Sequence, residues 1–404
     1  MKTKKIILVF FAFLNAFSFQ LLAQKKFEIE DYTKLVNISD PQIAPDGKSV
    51  AVVVSKPDLV NNRFNAELVL IDVASGKKRV ITQDRFAVSS PRWSPNGEQL
   101  AFISKVGQGK DALNQIFVLS MQGGEAKPIT KAPKGVQHFA WSPNGTDIAY
   151  AALNEPKNKV EIEKGYTAFE IANNDMFVGS QPMPAHIWLV NTNTGENKRL
   201  TDGDWSLPLV IPPSAPSSPF SWSPDGKTLL FVKVATAYSG DKQKSTIQIL
   251  DVVDGSFKPL TTRTKLEGYP KFSPDGSKIF YWYKNSNAIG SINEIWLTNV
   301  NGSEGQPISA QLNRDLYLSA WMPDNKNILI GGHNDNKTSM WSMNLDGKTT
   351  PINLGNVCPS WGFWLDTTIS KNGSLAFTGS EPNKPVELYF MASTTSKLVQ
   401  LTDY

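Results

Sequence analysis

Short apolar runs alternate with a recurring polar turn along most of the chain. Each copy of the pattern is an apolar strand end, then Ser/Ala-Pro-Asp/Asn-Gly, then a second apolar strand. The last residue of the turn falls at Gly47, Gly97, Gly145, Gly226, Gly276, Asn325 and Gly373. Successive copies are therefore 48 to 50 residues apart, except for one gap of 81 residues. A fixed period in this range is typical of a repeat architecture.

The turn predicts a tight connection between two antiparallel strands, because proline presets φ and glycine accepts the left-handed exit. Each repeat supplies two further apolar runs, such as 115–119 and 126–130 in the second copy. Four short strands per repeat are typical of a propeller blade. The pattern therefore predicts an all-β fold, a seven-bladed β-propeller with four antiparallel strands per blade and TolB-like or WD40-like Pro-Asp-Gly repeats.

Aromatic residues in front of the turns are predicted to pack between blades, since a blade cannot bury both of its faces alone. These residues are Trp93, Trp141, Trp222, Phe272 and Trp321. Seven complete units follow one another in order, so the ring is expected to close without a strand borrowed from the other terminus. Closure then depends on apolar stacking between the first and last blades.

The N-terminus combines three lysines with an apolar run over 6–19 and a plausible cleavage point after Ala23. This pattern predicts a signal peptide over 1–23, a propeller over 24–404, and a periplasmic or secreted protein. No later segment is apolar enough to span a membrane, so no membrane span is expected after signal cleavage. The net charge of +4, with no basic run, argues against nucleic acid as a partner.

The gap of 81 residues marks a departure from the repeat in blade three. The second strand of this blade is predicted over 147–153 and the third over 186–190, which leaves an insertion at about 154–185. A second long excursion, over 202–219, joins blade three to blade four. Long loops on a rigid scaffold often carry recognition. The alternative is that the insertion is an exposed loop that binds no ligand.

Motifs for catalysis and for metal or cofactor binding are missing from the sequence. There is no Gly-x-Ser-x-Gly elbow, no P-loop and no Gly-x-Gly-x-x-Gly. His138, His186 and His333 lack zinc-type spacing and are interpreted as satisfied structural or exposed side chains. The single cysteine, Cys358, is interpreted as a buried apolar filler. We therefore expect no catalytic residues, no metal and no cofactor.

The opening of the mature chain reads Phe27-Glu28-Ile29-Glu30-Asp31-Tyr32 and then Asp40-Pro41-Gln42-Ile43-Ala44-Pro45-Asp46-Gly47. Together with the insertion, this opening resembles secreted peptidases of the prolyl oligopeptidase family, including acylaminoacyl-peptidase-like and dipeptidyl-peptidase-like members. The resemblance implies a propeller that caps a C-terminal α/β-hydrolase domain, restricts access to small peptides and helps to hold the substrate's amino end. Because the sequence ends with the last strand of blade seven, the hydrolase domain and its triad are expected to be absent.

In dipeptidyl-peptidase-like members, acidic residues of the propeller hold the substrate's free α-amine. The resemblance makes Glu161, Glu163 and Glu170 the candidates for that role, although the adjacent Glu-Glu pair of the subfamily is not reproduced. A solvated acidic loop is the alternative. The expected function is a non-catalytic propeller, inactive alone, that gates and positions small peptide substrates for an α/β-hydrolase domain. A stand-alone TolB-like periplasmic propeller that binds a protein partner is the alternative function.

Overall fold

The computed structural model describes residues 26, 28–82, 85, 87–107, 109–173, 181–208, 220–284, 286, 291–302, 305–360 and 365–404. Within them the chain forms seven antiparallel sheets, each built from consecutive strands. The predicted signal peptide, 1–23, lies outside the described residues. In the described part of the chain, no helix has the length and apolar character needed to cross a membrane.

The first four blades take up the chain in order. Blade 1 contains β1 (Asn37–Ile43), β2 (Ser49–Asp58), β3 (Arg63–Asp72) and β4 (Lys78–Val80). Blade 2 contains β5 (Val88–Trp93), β6 (Gln99–Val106), β7 (Leu113–Ser120) and β8 (Lys127–Pro128). Blade 3 contains β9 (Val136–Trp141), β10 (Asp147–Leu153), β11 (Ala185–Asn191) and β12 (Asn197–Arg199). Blade 4 contains β13 (Ser221–Trp222), β14 (Thr228–Lys233), β15 (Thr246–Asp251) and β16 (Phe257–Pro259).

The remaining blades complete the ring. Blade 5 contains β17 (Glu267–Phe272), β18 (Lys278–Lys284), β19 (Asn293–Asn299) and β20 (Gln306–Pro307). Blade 6 contains β21 (Leu316–Trp321), β22 (Asn327–Asn334), β23 (Lys337–Asn344) and β24 (Thr349–Pro351). Blade 7 contains β25 (Cys358–Pro359), β26 (Thr367–Ile369), β27 (Leu375–Glu381), β28 (Lys384–Met391) and β29 (Val399–Gln400). Short helices span Ile29–Lys34, Gly109–Asp111, Lys159–Glu163, Ser239–Lys244 and Ala310–Leu312.

The predicted all-β, seven-bladed propeller is confirmed, with one irregularity in blade 7. Six of the sheets have four strands. In blade 7 the innermost strand is divided into β25 and β26, and both pieces pair with β27. The four-strand plan therefore holds in every blade, because the two pieces together occupy the innermost place.

The turn residues act as their chemistry predicts. In blade 2, the hydroxyl of Ser94 donates to Asn96 Oδ1 at 2.7 Å and accepts from the backbone N–H of Gln99 at 2.9 Å. Gly97 has φ of 76°, a left-handed conformation that glycine adopts at no steric cost. The residue at the same place in the sixth copy, Asn325, also has a positive φ, of 57°. The turn thus connects the first two strands of blade 2 with the geometry that its residues predict.

The tryptophans before the turns connect neighbouring blades, as predicted. Trp93 donates its indole N–H to Gln42 O of blade 1 at 2.8 Å, and Trp141 donates to Arg92 O of blade 2 at 2.9 Å. The same bond recurs from Trp222 to Ala140 O (3.3 Å) and from Trp321 to Lys271 O (3.1 Å). Each ring therefore contributes apolar contact and also satisfies its N–H in the blade before it.

Closure of the ring rests on apolar stacking between blades 1 and 7, which confirms that prediction. One core cluster joins Val50 and Ile71 of blade 1 to Ala376, Leu388 and Leu401 of the last blade. No strand crosses from one terminus to the other among the described residues, since every sheet is built from consecutive strands. The seam between blades 1 and 7 also carries polar contacts, which are described below.

Candidate functional site

The acidic candidates of the blade 3 insertion lie on the protein surface. Glu161 and Glu163 belong to the short helix Lys159–Glu163, and Glu170 follows it in an irregular segment. All three side chains are exposed. Positions two apart on a helix do not face the same side, so Glu161 and Glu163 do not form a pincer. Across the described residues, no hydrogen bond or ion pair holds any of the three carboxylates.

Hydrogen bonds attach the described part of the insertion to the ring at its base and further out. At its base, the backbone N–H of Asn154 donates to Pro184 O at 2.8 Å. Further out, Asn173 donates its side-chain amide to Asp241 Oδ1 at 2.8 Å and accepts from the backbone N–H of Gly240 at 2.9 Å. A Cβ at Gly240 would lie 2.4 Å from Asn173 O, so only glycine permits this approach. Blade 4 therefore fixes the insertion at Asn173.

A cleft of about 600 Å³ lies where the two long excursions meet. Its walls come from 154–157 and 181–184 of the insertion, from 202–204 of the second excursion and from 236–238 of blade 4. Lys157 and Asp204 face each other across 3.4 Å, and both are almost fully exposed. The cleft is open, mixed in polarity, and large enough for a short peptide.

Two histidines are buried, and they differ in how their ring nitrogens are satisfied. His186 Nε2 lies 3.2 Å from Gly203 O, and its ring meets Trp205 edge-on. Burial lowers the pKa of His186 to about 4. His138 packs edge-on against Phe220, but neither ring nitrogen has a hydrogen-bond partner among the described residues. The interpretation of His138 as a satisfied side chain is therefore wrong.

A second group of charged residues lies on or next to the innermost strands. It consists of Asp40, Arg92, Lys271 and Asp366, and we call it the axial cluster. Arg92 Nη1 lies 2.9 Å from Asp40 Oδ1. The backbone N–H of Asp40 donates to Asp366 Oδ2 at 2.6 Å, and Lys271 Nζ donates to Phe220 O at 3.3 Å. The sequence analysis did not single out this cluster.

Bulges in the innermost strands shape this cluster. Three innermost strands, β1, β5 and β17, each have a bulge in their pairing with the next strand. The bulges lie just before Gln42, Arg92 and Lys271, respectively. Each bulge contains a non-glycine residue with a positive φ followed by proline: Asp40 (50°), Ser90 (53°) and Tyr269 (48°). A bulge bends a strand and redirects a side chain. Because this backbone is strained for residues other than glycine, the surrounding ring must hold it in place.

Burial perturbs the titration of the axial cluster. It raises the pKa of Asp40, against the opposing effect of the Arg92 guanidinium. Burial and the neighbouring Asp40 carboxylate raise the pKa of Asp366 to about 7. Burial lowers the pKa of Lys271 to about 8. Burial also lowers the pKa of His138 to about 3, and the positive charge of Lys271 lowers it further. Perturbed groups of this kind often mark functional positions.

Metal binding finds no support in the part of the chain that the structure describes. No group of three or more His, Cys, Asp or Glu side chains there is arranged to hold a metal ion. Cys358, at the start of β25, is a free thiol and only partly buried. The sequence predicts a buried apolar side chain at Cys358, whereas the structure shows one that is only half-buried.

Comparison with known proteins adds the sequence relationship. No family model matches the chain. Dipeptidyl-peptidase 5 of Porphyromonas gingivalis is 23% identical over 351 residues, which cover 81% of this chain and 49% of that protein. The uncharacterized peptidase YuxL of Bacillus subtilis is 26% identical over 261 residues, which cover 64% of this chain and 31% of that protein. The chain thus spans about half the length, or less, of the curated relatives it matches.

Solved structures agree on the fold. Acylaminoacyl peptidase of Pyrococcus horikoshii superposes with a TM-score of 0.68 at 17% identity, over 94% of this chain and 54% of that chain. This chain resembles the N-terminal propeller of such peptidases. The β-propeller domain of the Trilobed protease from Pyrococcus furiosus superposes with a TM-score of 0.64 at 16% identity, over 92% of this chain and 97% of that domain. The likeness in fold to these peptidase propellers therefore extends over nearly the whole ring.

Proposed function

We propose that this propeller gates access of small peptides to an α/β-hydrolase active site and positions them there, as part of a serine peptidase of the prolyl oligopeptidase family. The observation that carries the proposal is the likeness to dipeptidyl-peptidase 5 over 81% of the chain. The hydrolase partner and the location in the periplasm or outside the cell belong to the same proposal.

The cleft between the two excursions supports a role in peptide handling. Its volume of about 600 Å³ falls in the range of small-ligand sites. The insertion that forms one wall is held by Asn173 to blade 4, so the wall has a defined position. The helix Lys159–Glu163 follows the lining segment 154–157 along the chain. We place the peptide's amino end toward Glu161 and Glu163, which are exposed and do not themselves line the cleft.

The experiment uses the purified 404-residue chain and chromogenic dipeptidyl and acylaminoacyl substrates. No turnover is expected from the chain alone. Glycyl-phenylalanine amide and its N-acetylated form are then compared by titration calorimetry. Glu163→Gln combined with Glu170→Gln should weaken binding of the free amine about two- to fivefold, because exposed charge pairs are individually weak. Glu196→Gln, an exposed change in the same blade, is the control.

Two results would contradict the proposal. Turnover by the chain that a serine-directed inhibitor abolishes would show that the propeller is itself catalytic. Equal binding of the two peptides, or binding of neither, would remove the role in holding the substrate's amino end.

A further inference from the structure

The seam of the ring contains a second cavity, remote in sequence from the blade 3 insertion. It has a volume of about 540 Å³ and lies among blades 1, 2 and 7. Exposed Phe64 and Asn37 stand at its border, and the buried valines Val53 and Val88 form part of its wall. Asp40 and Asp366 of the axial cluster also line it. The cavity therefore joins an apolar wall to an acidic end.

Three buried polar atoms that belong to residues lining this cavity have no hydrogen-bond partner among the described residues. They are Asp40 Oδ2, Thr378 Oγ1 and Ser360 Oγ. Asp40 is 5% exposed and Thr378 is fully buried. Buried polar atoms are nearly always paired, because an unpaired one loses its hydration without replacement. Three such atoms in one cavity indicate that the cavity accepts a group able to donate hydrogen bonds.

The charges around the cavity do not balance when both carboxylates are ionised. Arg92 pairs with Asp40 Oδ1, and Gln42 donates its side-chain amide to the same oxygen at 3.0 Å. Asp366 accepts a hydrogen bond from the backbone N–H of Asp40. An N–H group is a dipole and does not carry a full positive charge. One guanidinium therefore serves two carboxylates. A positively charged ligand would restore neutrality.

We infer that the seam cavity binds a protonated aliphatic primary amine, with the ammonium at Asp40, Asp366 and Thr378 and the carbon chain against Val53 and Val88. An ammonium group has three donors and no acceptor, which matches a set of carboxylate and hydroxyl oxygens. The apolar wall favours a ligand with a hydrocarbon tail over a bare ion. This inference does not rest on the proposed peptidase role, because none of the cavity's lining residues belongs to the blade 3 insertion.

The test is a titration of the chain with n-butylammonium chloride at pH 8 and constant ionic strength, followed by NMR of labelled valine methyl groups. Saturable shifts of a few methyl signals are expected. Asp366→Asn should weaken binding about tenfold or more, because a charge-assisted hydrogen bond becomes a neutral one. Thr378→Val has nearly the same shape and should weaken binding a few-fold. Glu196→Gln, an exposed change in blade 3 outside both proposed sites, should leave the affinity unchanged.

Neutral n-butanol and potassium chloride serve as probe controls. Neither is expected to reproduce the methyl shifts, since butanol lacks the positive charge and potassium lacks the hydrocarbon tail. A circular dichroism spectrum and a urea midpoint establish that each variant is folded. The inference is overturned if wild type shows no saturable shift, if folded Asp366→Asn binds as tightly as wild type, or if either control gives the same response. Loss of binding in Glu163→Gln alone would instead place amine binding at the insertion.

Discussion

The chain has two acidic regions that differ in their surroundings. On the blade 3 insertion, Glu161, Glu163 and Glu170 are exposed, and solvent screens their charges. At the seam, Asp40 and Asp366 are enclosed by blades 1, 2 and 7. The comparison teaches that several acidic residues close together in the sequence do not identify the stronger electrostatic site. The stronger site is the one whose carboxylates lose their hydration, and that loss depends on the fold.

The largest effect is expected when the counter-charge of the seam is removed. Arg92→Met should lower the free energy of unfolding by about 3–5 kcal/mol, because it leaves the buried Asp40 carboxylate without its partner. Urea denaturation at pH 7 measures this. Adding Asp40→Asn to Arg92→Met should recover part of the loss, since the unpaired charge is then gone.

An exposed ion pair provides the matched control for this substitution. Arg63 lies 3.6 Å from Asp58 in blade 1, and the Arg63 side chain is 42% exposed. Arg63→Met should change the unfolding free energy much less than Arg92→Met, because water solvates the remaining carboxylate. Equal losses in the two variants would show that burial does not distinguish the two kinds of acidic site.

A smaller effect is expected in the pH dependence of stability. The pKa of Asp366 is raised to about 7 in the folded chain. A raised carboxyl pKa contributes stability below the unfolded value near 4, and that contribution is lost as pH rises toward 7. Asp366→Asn should therefore gain stability relative to wild type between pH 5 and pH 8, on the order of 2 kcal/mol. Asp40 and Arg92 remain in both proteins, and because Asp40 interacts electrostatically with Asp366 the difference reports the titration of this pair.

Urea denaturation at pH 5 and pH 8 measures the difference in stability between Asp366→Asn and wild type. The two buried histidines have the opposite effect on stability in both proteins. Because the pKa values of His138 and His186 are lowered, the fold becomes less stable as pH falls below about 6.5. Their contribution cancels in the comparison of variant with wild type. A variant curve parallel to the wild-type curve would mean that Asp366 titrates normally.

The smallest effect is expected on the insertion. Glu163→Gln and Glu170→Gln should leave the unfolding free energy within about 0.5 kcal/mol of wild type, as is usual for surface changes. The same denaturation series measures them. A marked loss of stability in either variant would show that the insertion carries a structural acidic contact.

Much of the ring could be predicted from the sequence, because the turn chemistry is local and repeats at a fixed spacing. The tryptophans before the turns were predicted to lie between blades, and their indole bonds bear this out. The gap of 81 residues located the insertion between β10 and β11. These features depend on contacts within one blade or between adjacent blades.

The seam could not be predicted in the same way. Asp40 and Asp366 are separated by 326 positions, and the turn of blade 7 has lost its proline, as Ser370-Lys371-Asn372-Gly373 shows. A signal was nonetheless present. Asp40 stands five residues before Pro45, and Asp366 stands five before Lys371, the matching turn position. Aligning the repeats would have placed both carboxylates on or next to the innermost strands, but the burial of Asp40 and its unpaired Oδ2 depend on the folded ring.

The central claim is that the seam holds a partly buried carboxylate, Asp366, with too little counter-charge. The most direct measurement is a pH titration of ¹³C-labelled aspartate carboxyl groups by NMR. One signal, absent from Asp366→Asn, should titrate near pH 7 and move to a lower pKa when n-butylammonium is added. Titration of every aspartate below pH 5, with no response to the amine, would contradict the claim.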